Sequence, residues 1–242
     1  MKKGFTLAEV LITLTVIGVV AALAAPALSN STQKAKVGPA LSKFINTMET
    51  ANEHIIADNQ ADSISSVTDS KADNYLTELS KYVKGLKEDK TLKDITLTPA
   101  NYNGDSDKDG SPMKEEEVEN FAIYTFSDGS AMALKHYDRD TTHSAGTFKG
   151  NVASVWFDIN GFDKKPNRAG RDEFRFYIDD SGSVYPDGGN IKKNIYEKNN
   201  IKIKGNHWNE ENGACNETDV KRGGVYCGAS VVDNGFKVIY KY

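Results

Sequence analysis

From Phe5 to Ala25 the chain runs for 21 residues with a single charge, Glu9. As a helix rising about 1.5 Å per residue, this run spans roughly 32 Å, enough to cross a hydrocarbon core of about 30 Å. The pattern then changes. Leu28, Val37, Leu41, Phe44, Ile45, Met48 and Ile55 recur mostly at three- and four-residue steps, which predicts one apolar face on a helix that continues to about Ala57. Gly38-Pro39 interrupts that stripe and predicts a bend, because proline removes one backbone donor. Phe5 to Ala57 is therefore expected as one long, gently broken helix. Its first half is apolar all round, and its second half needs a partner.

The rest of the chain is patterned to supply that partner. Residues 58–70 are polar and rich in Ser and Asp, and are expected as loop. Asp73–Val83 carries Tyr75, Leu76, Leu79 and Val83 on one side, a short helix with Asp73 as its N-cap. Ile95–Thr98 is a short strand candidate. Phe121–Phe126 and Ala131–Tyr137 flank Ser127-Asp128-Gly129, a hairpin whose glycine tolerates positive φ. Val152–Ile159 and Glu173–Ile178 are further strands. Asp179-Asp180-Ser181-Gly182 then turns the chain into a return strand, Ser183–Tyr185. Gly235–Tyr242 is expected as a last strand, and 188–213 as irregular surface. The sum is an α+β fold, a long helix packed on a mostly antiparallel sheet.

Glu9 is the odd member of the apolar run. A carboxylate at membrane depth costs on the order of 2.5–3.5 kcal/mol and asks for a partner. Cleavage after Gly4 would create one, a positive amine on Phe5. Gly4-Phe5-Thr6-Leu7-Ala8-Glu9, preceded by Lys2 and Lys3, resembles the cleavage and methylation site of the prepilins, both type IV pilins and the pseudopilins of type II secretion. The resemblance is close from Lys2 to about Ile56. It implies a prepilin peptidase that cuts between Gly4 and Phe5 and methylates the new amine. It also implies pairing of Glu9 with the terminal amine of a neighbouring pilin or pseudopilin subunit, and a bend at Pro26. On this reading residues 1–4 are a leader and 5–26 the membrane and filament-core helix. Residues 27–57 continue the stalk, and 58–242 form a pilin-like domain beyond the inner membrane. An ordinary secretory signal cut after Ala24, or a plain anchor, explains neither Glu9 nor the placement of Gly4.

Charge and cysteine content sharpen this. The net charge is −4, and Lys2, Lys3 and Glu9 are the only charges before residue 31. The soluble part is thus mildly acidic, and no nucleic-acid partner is expected. The two cysteines, Cys215 and Cys227, are twelve apart without metal-ligand spacing. They predict a disulfide and an oxidising compartment.

Two loops carry candidate metal chemistry. Asp105, Asp107, Asp109, Gly110 and Glu116 follow the D-x-D-x-D-G-x5-E calcium pattern, in which alternating carboxylates converge on one hard cation. Pro112 stands where such loops have an apolar residue, so an acidic solvated loop is the competing reading. Asp158, Asn160 and Asp172 lie in a segment similar to a loop of pseudopilin-like proteins. They are either turn caps, with Arg168 and Arg171 as ion-pair partners, or calcium ligands. His136 and His143, with Asp138 and Asp140 between them, fit an exposed loop better than a metal site. No nucleophile elbow, zinc helix or phosphate loop is present, so no enzyme is expected and no cofactor beyond calcium. The competing functional class is a calcium-stabilised adhesin or ligand-binding domain that borrows a prepilin-type export signal.

Overall fold

Helix α1, Leu7–Asp58, runs for 52 residues, about 78 Å at 1.5 Å per residue. The computed structural model describes residues 6–68, 72–88, 121–137, 141–143, 146–148, 152–164, 167, 169–187, 215 and 226–240. At 25–30, 72–73, 136–137, 141–143, 146–148 and 152 only the backbone is described. Within α1 the expected stripe is buried from Val37 on: Val37, Leu41, Phe44, Ile45, Met48 and Ile55 all lie in the core, joined by Ala51, while the side chain of Leu28 falls outside the described residues. Short helices α2, Ile64–Thr68, and α3, Ala72–Tyr82, follow. Tyr75, Leu76, Leu79 and Val83 close over the stripe from α3 and its end.

The sheet covers the remaining side. Its strands are β1 (Lys87–Glu88), β2 (Ala122–Thr125), β3 (Ala131–Tyr137), β6 (Val152–Asp158), β7 (Glu173–Ile178) and β8 (Val184–Pro186). They are neighbours in that order, and every pairing is antiparallel. A separate hairpin, β4 (Thr141–His143) with β5 (Gly146–Phe148), interrupts the meander between β3 and β6. Register places Met132 opposite Phe157, and Phe157 opposite Phe174. These side chains, with Val155 and Phe176, face α1 because successive residues alternate between the two faces. Phe44 is the centre of the contact. Its ring stacks on Phe157 at 4.2 Å and lies 5.1 Å from Phe176. Burying each such side chain contributes about 1.5–3 kcal/mol.

The other face of the sheet is buried as well. Ile123, Ala131, Ala133 and Trp156 form a second cluster with Phe162, Ala169 and Tyr226. All six residues of β7 are buried. Arg175 there lies 3.7 Å from Asp187, donates to Ser154 Oγ at 3.4 Å, and sits over the rings of Trp156 and Tyr177.

Several expectations are corrected. The helix is not broken at Gly38-Pro39 but continuous through both Pro26 and Pro39. Gly38 is a contact position: a Cβ there would lie 1.9 Å from the carbonyl oxygen of Phe236, so the C-terminal tail crosses α1 at this point. The loop at 58–70 contains α2, whose start is held by reciprocal bonds between Ser63 and Ser66. Asp73 lies inside the first turn of α3 rather than capping it. Residues 235–240 are not a strand. Phe236, Val238 and Tyr240 turn toward the core while Lys237 and Ile239 face out, so the alternation is that of an extended tail lying on a helix. A helix, α4 (Cys227–Asp233), precedes that tail. His136 and His143 lie on β3 and β4 rather than in a loop. Ile95–Thr98, residues 188–213, Asp138, Asp140 and Arg168 fall outside the described residues.

Candidate functional site

The head of α1 carries the first candidate site. Thr6 is the N-cap, with extended backbone (φ −78°, ψ 151°). Its N–H and its hydroxyl both donate to Oε2 of Glu9, each at 2.8 Å, and Glu9 N–H donates back to Thr6 Oγ1 at 3.3 Å. This is a reciprocal capping box, in which a carboxylate also meets the positive end of the helix dipole. Glu9 thus has a partner within its own chain. The signal was present: Thr6-x-x-Glu9 is the capping-box spacing. Both bonds use Oε2 and leave Oε1 for another donor. Gly4 and Phe5 lie outside the described residues.

Beyond the cap, Leu7–Ala24 is an 18-residue stretch of mean hydropathy 2.4, none of it buried, long and apolar enough to cross a membrane. Leu7 is 81% exposed and Leu23 75%. The hydroxyls inside it are satisfied locally. Thr13 donates to the Val10 carbonyl at 2.9 Å and Thr15 to that of Leu11 at 2.8 Å, as a segment without water requires. No atom outside the helix lies within 4 Å of a Cβ built at Gly18. The sleeve is bare on all sides.

Cys215 and Cys227 form the expected disulfide, with Cα atoms 5.0 Å apart. Both are buried. The bond fixes the start of α4, and with it the tail that crosses α1.

The second candidate site lies where β6 and β7 meet. Asp158 ends β6, Glu173 begins β7, and the two are register partners. Asp158 Oδ1 accepts from the backbone N–H of Asn160 and of Gly161, both at 2.8 Å. Gly161 has φ +95°, which its lack of a Cβ permits. Asp172 Oδ2 accepts from Asn167 N–H at 2.9 Å. The structure therefore brings Asp158, Asn160 and Asp172 into one loop, and two of them act as caps. Arg171 Nη2 donates to Gln33 Oε1 at 3.3 Å.

Buried oxygens remain without a hydrogen-bond partner: Asp158 Oδ2, Glu173 Oε1, Asn160 Oδ1 and Asn167 Oδ1. Burial first, then the neighbouring charges of Asp158 and Asp172, pushes Glu173 up to about 9. Burial likewise pushes Asp158 up to about 7, with Asp172 and Asp163 adding to it and the two backbone donors opposing it. Among the described residues, no group of three or more His, Cys, Asp or Glu side chains is arranged to hold a metal. The raised pKa of Glu173 favours its protonated form beside Asp158. Asp105, Asp107, Asp109 and Glu116 lie outside the described residues.

Comparison with known proteins bears on the first site. Residues 1–25 match the family profile described as the prokaryotic N-terminal methylation motif. The chain thus carries a prepilin-type N-terminal signal. No curated protein and no solved structure gives a significant match. The prepilin-type signal and the apolar N-terminal helix are consistent with membrane anchoring.

Proposed function

We propose that this protein is a subunit, a pseudopilin or a minor pilin, of a filament of the type IV pilus or type II secretion class. The head of α1 carries the reading: a capped carboxylate opening a helix that is bare for 18 residues and then packs a folded domain. Residues 1–4 are the leader, removed between Gly4 and Phe5. Residues 5–26 hold the precursor in the inner membrane, and 27–57 continue the stalk. The domain of 58–242 lies beyond the membrane, in the oxidising compartment that a disulfide needs. Cutting after Gly4 keeps Thr6 as an internal residue, so its amide N–H still serves the capping box. Glu9 Oε1 then receives the Phe5 amine of an adjacent subunit. That contact neutralises both charges when helices leave lipid and pack together, which lowers the cost of a charge in an apolar core. Any bend that the filament imposes falls at Pro26 or Pro39, where the i−4 hydrogen bond is absent.

The decisive measurement is the N-terminus of the protein extracted from membranes. It should begin at a methylated Phe5. A chain that begins at Met1, or after Ala24, overturns the reading. Glu9→Val should be cut normally yet fail to copurify with filaments; normal assembly of that variant would remove the pairing step.

A further inference from the structure

Three elements meet where α1 leaves the apolar run. Arg171 Nη2 donates to Gln33 Oε1 at 3.3 Å, Lys34 Nζ donates to the Tyr240 carbonyl at 2.9 Å, and Tyr240 OH donates to the Gly170 carbonyl at 2.6 Å. The first turn of the stalk, residues 170–171 and the C-terminal tail therefore form one surface. Lys34, Lys36, Lys164, Arg171 and Lys237 belong to it. Lys36, Lys164 and Arg171 line a cavity of about 310 Å³ there. Among the described residues two acids, Asp128 and Asp172, line the same cavity, and both are engaged. Asp128 pairs with Lys43 at 2.6 Å, and Asp172 accepts from Asn167; Asp163 and Asp233 lie nearby along the chain. Between residues 10 and 48, α1 has three lysines and no acid. The cluster runs against the acidic balance of the rest of the chain. A second, independent feature lies beside it. Ile239 is 59% exposed, and among the described residues it is the one large apolar side chain exposed outside the bare run of α1.

The placement of this surface names its partner. From Pro26, the end of the membrane segment, Lys34 and Lys36 are about 12 and 15 Å further along the helix, and their long side chains reach back toward the bilayer. A headgroup layer is about 5–8 Å deep on each side of the core. Side chains on a helix lean toward its N-terminus, which here is the bilayer. Basic residues around an exposed apolar side chain, at that height, have the composition of an interfacial membrane anchor.

We propose that the base of the domain docks on the surface of an anionic bilayer, the basic cluster meeting lipid phosphates and Ile239 entering the interface. This rests on the reading of Leu7–Ala24 as a membrane span. Docking holds the unassembled subunit upright and in one rotation about α1, and it is released when the helix leaves the membrane.

The test uses the full chain, reconstituted in nanodiscs of phosphatidylcholine alone or mixed with phosphatidylglycerol. Amide hydrogen exchange is followed over 160–171 and 233–240. Exchange in both segments should be several-fold slower with phosphatidylglycerol, and 1 M salt should remove the difference. Lys36→Gln and Lys237→Gln should each weaken the effect about fivefold. Ile239→Asp should abolish it without changing the melting temperature. Equal exchange in the two lipids, or protection that persists in these variants, overturns the proposal. So does protection produced in phosphatidylcholine discs by inorganic phosphate, which would make the cavity a simple anion site. Retention in the discs after an alkaline wash reports on the span separately. A chain that stays inserted without any lipid-charge effect sinks the docking alone, and one that washes out sinks both.

Discussion

A methyl group added at Gly38 sets two opposed effects against each other, and the sign of the result discriminates between them. Gly38 lies inside a helix, where alanine is favoured over glycine by about 1 kcal/mol. In open space Gly38→Ala would therefore stabilise. The new Cβ, however, would lie 1.9 Å from the Phe236 carbonyl oxygen and 2.9 Å from its carbonyl carbon. Both are backbone atoms, so no flexible side chain can give way. The tail must retreat by about 1.5 Å to restore ordinary contact. Retreat weakens the bonds from Lys34 to Tyr240 and from Tyr240 to Gly170, each contributing about 1 kcal/mol. It also uncovers part of Phe236 and Tyr240, whose full burial is worth about 1.5–3 kcal/mol each. A loss of about 3–4 kcal/mol against the gain of 1 leaves net destabilisation of about 2–3 kcal/mol. For a domain of this size that is a fall of roughly 4–12 °C in melting temperature. Thermal melts of the full chain read the sum, and hydrogen exchange over 233–240 locates it. Gly18→Ala supplies the contrast, with no contact to offend. A Gly38→Ala protein as stable as the parent, or more so, would refute the tail's close passage over α1.

Other perturbations test separate parts of the fold. Glu173 and Asp158 hold protons in the folded state that the unfolded chain releases near pH 4, so stability should fall as pH rises through 5 to 9, by up to about 3 kcal/mol across two pH units for one proton; Glu173→Gln should flatten that slope in melts between pH 5 and 9, and an unchanged slope would show the pair to be ionised. Reducing Cys215–Cys227 should cost about 3 kcal/mol in the loop-entropy picture, read as a lower denaturant midpoint, whereas identical midpoints with and without reductant would show that the clip leaves the unfolded chain unconstrained. We keep calcium binding by Asp105, Asp107, Asp109 and Glu116 as a proposal: titration calorimetry of the full chain should give a saturable heat lost in Asp107→Asn, and no heat together with no calcium-dependent melting shift retires it.

The parts of this fold that could be read from the chain are those whose reason is local or periodic. The stripe Val37, Leu41, Phe44, Ile45, Met48 and Ile55 named the buried face of α1, because only that face meets the domain. The hairpin at 121–137 was legible in Asp128 and Gly129: Asp128 accepts from Ser130, and Gly129 takes φ +86°. What escaped has no local signature. β1 has two residues, and α2 is a serine-rich turn that its own hydroxyls hold together. α4 is built from Gly, Ala, Ser and Val without an apolar period, and it is placed by a disulfide and by packing. The tail's period-two alternation predicts a strand and belongs instead to an extended tail on α1, because periodicity reports which side is covered and not by what. At the candidate sites, the processing motif was fully legible. Thr6 was legible but passed over. The facing of Asp158 and Glu173 needed strand register, which no spacing rule supplies across fifteen residues.

β7 shows why polarity along a strand is a poor witness to solvent. Phe174, Phe176 and Ile178 alternate with Glu173, Arg175 and Tyr177, the pattern of a half-exposed strand. Every one of the six is nevertheless buried. The polar set is tolerated because each charge is met in a different way. Arg175 has Asp187, Ser154 and two aromatic faces. Glu173 keeps its proton instead. The same distinction divides α1. Leu23 and Val37 are comparably apolar, yet one is 75% exposed and the other fully buried. The difference is set by what the helix meets. Leu7–Ala24 is unburied, and from Gln33 the helix meets a domain whose tail and Arg171 pack on it. On the proposed reading the bare half of the helix finds its second solvent first among lipids and then among other subunits. The basic residues at the division mark the level at which the first of these ends.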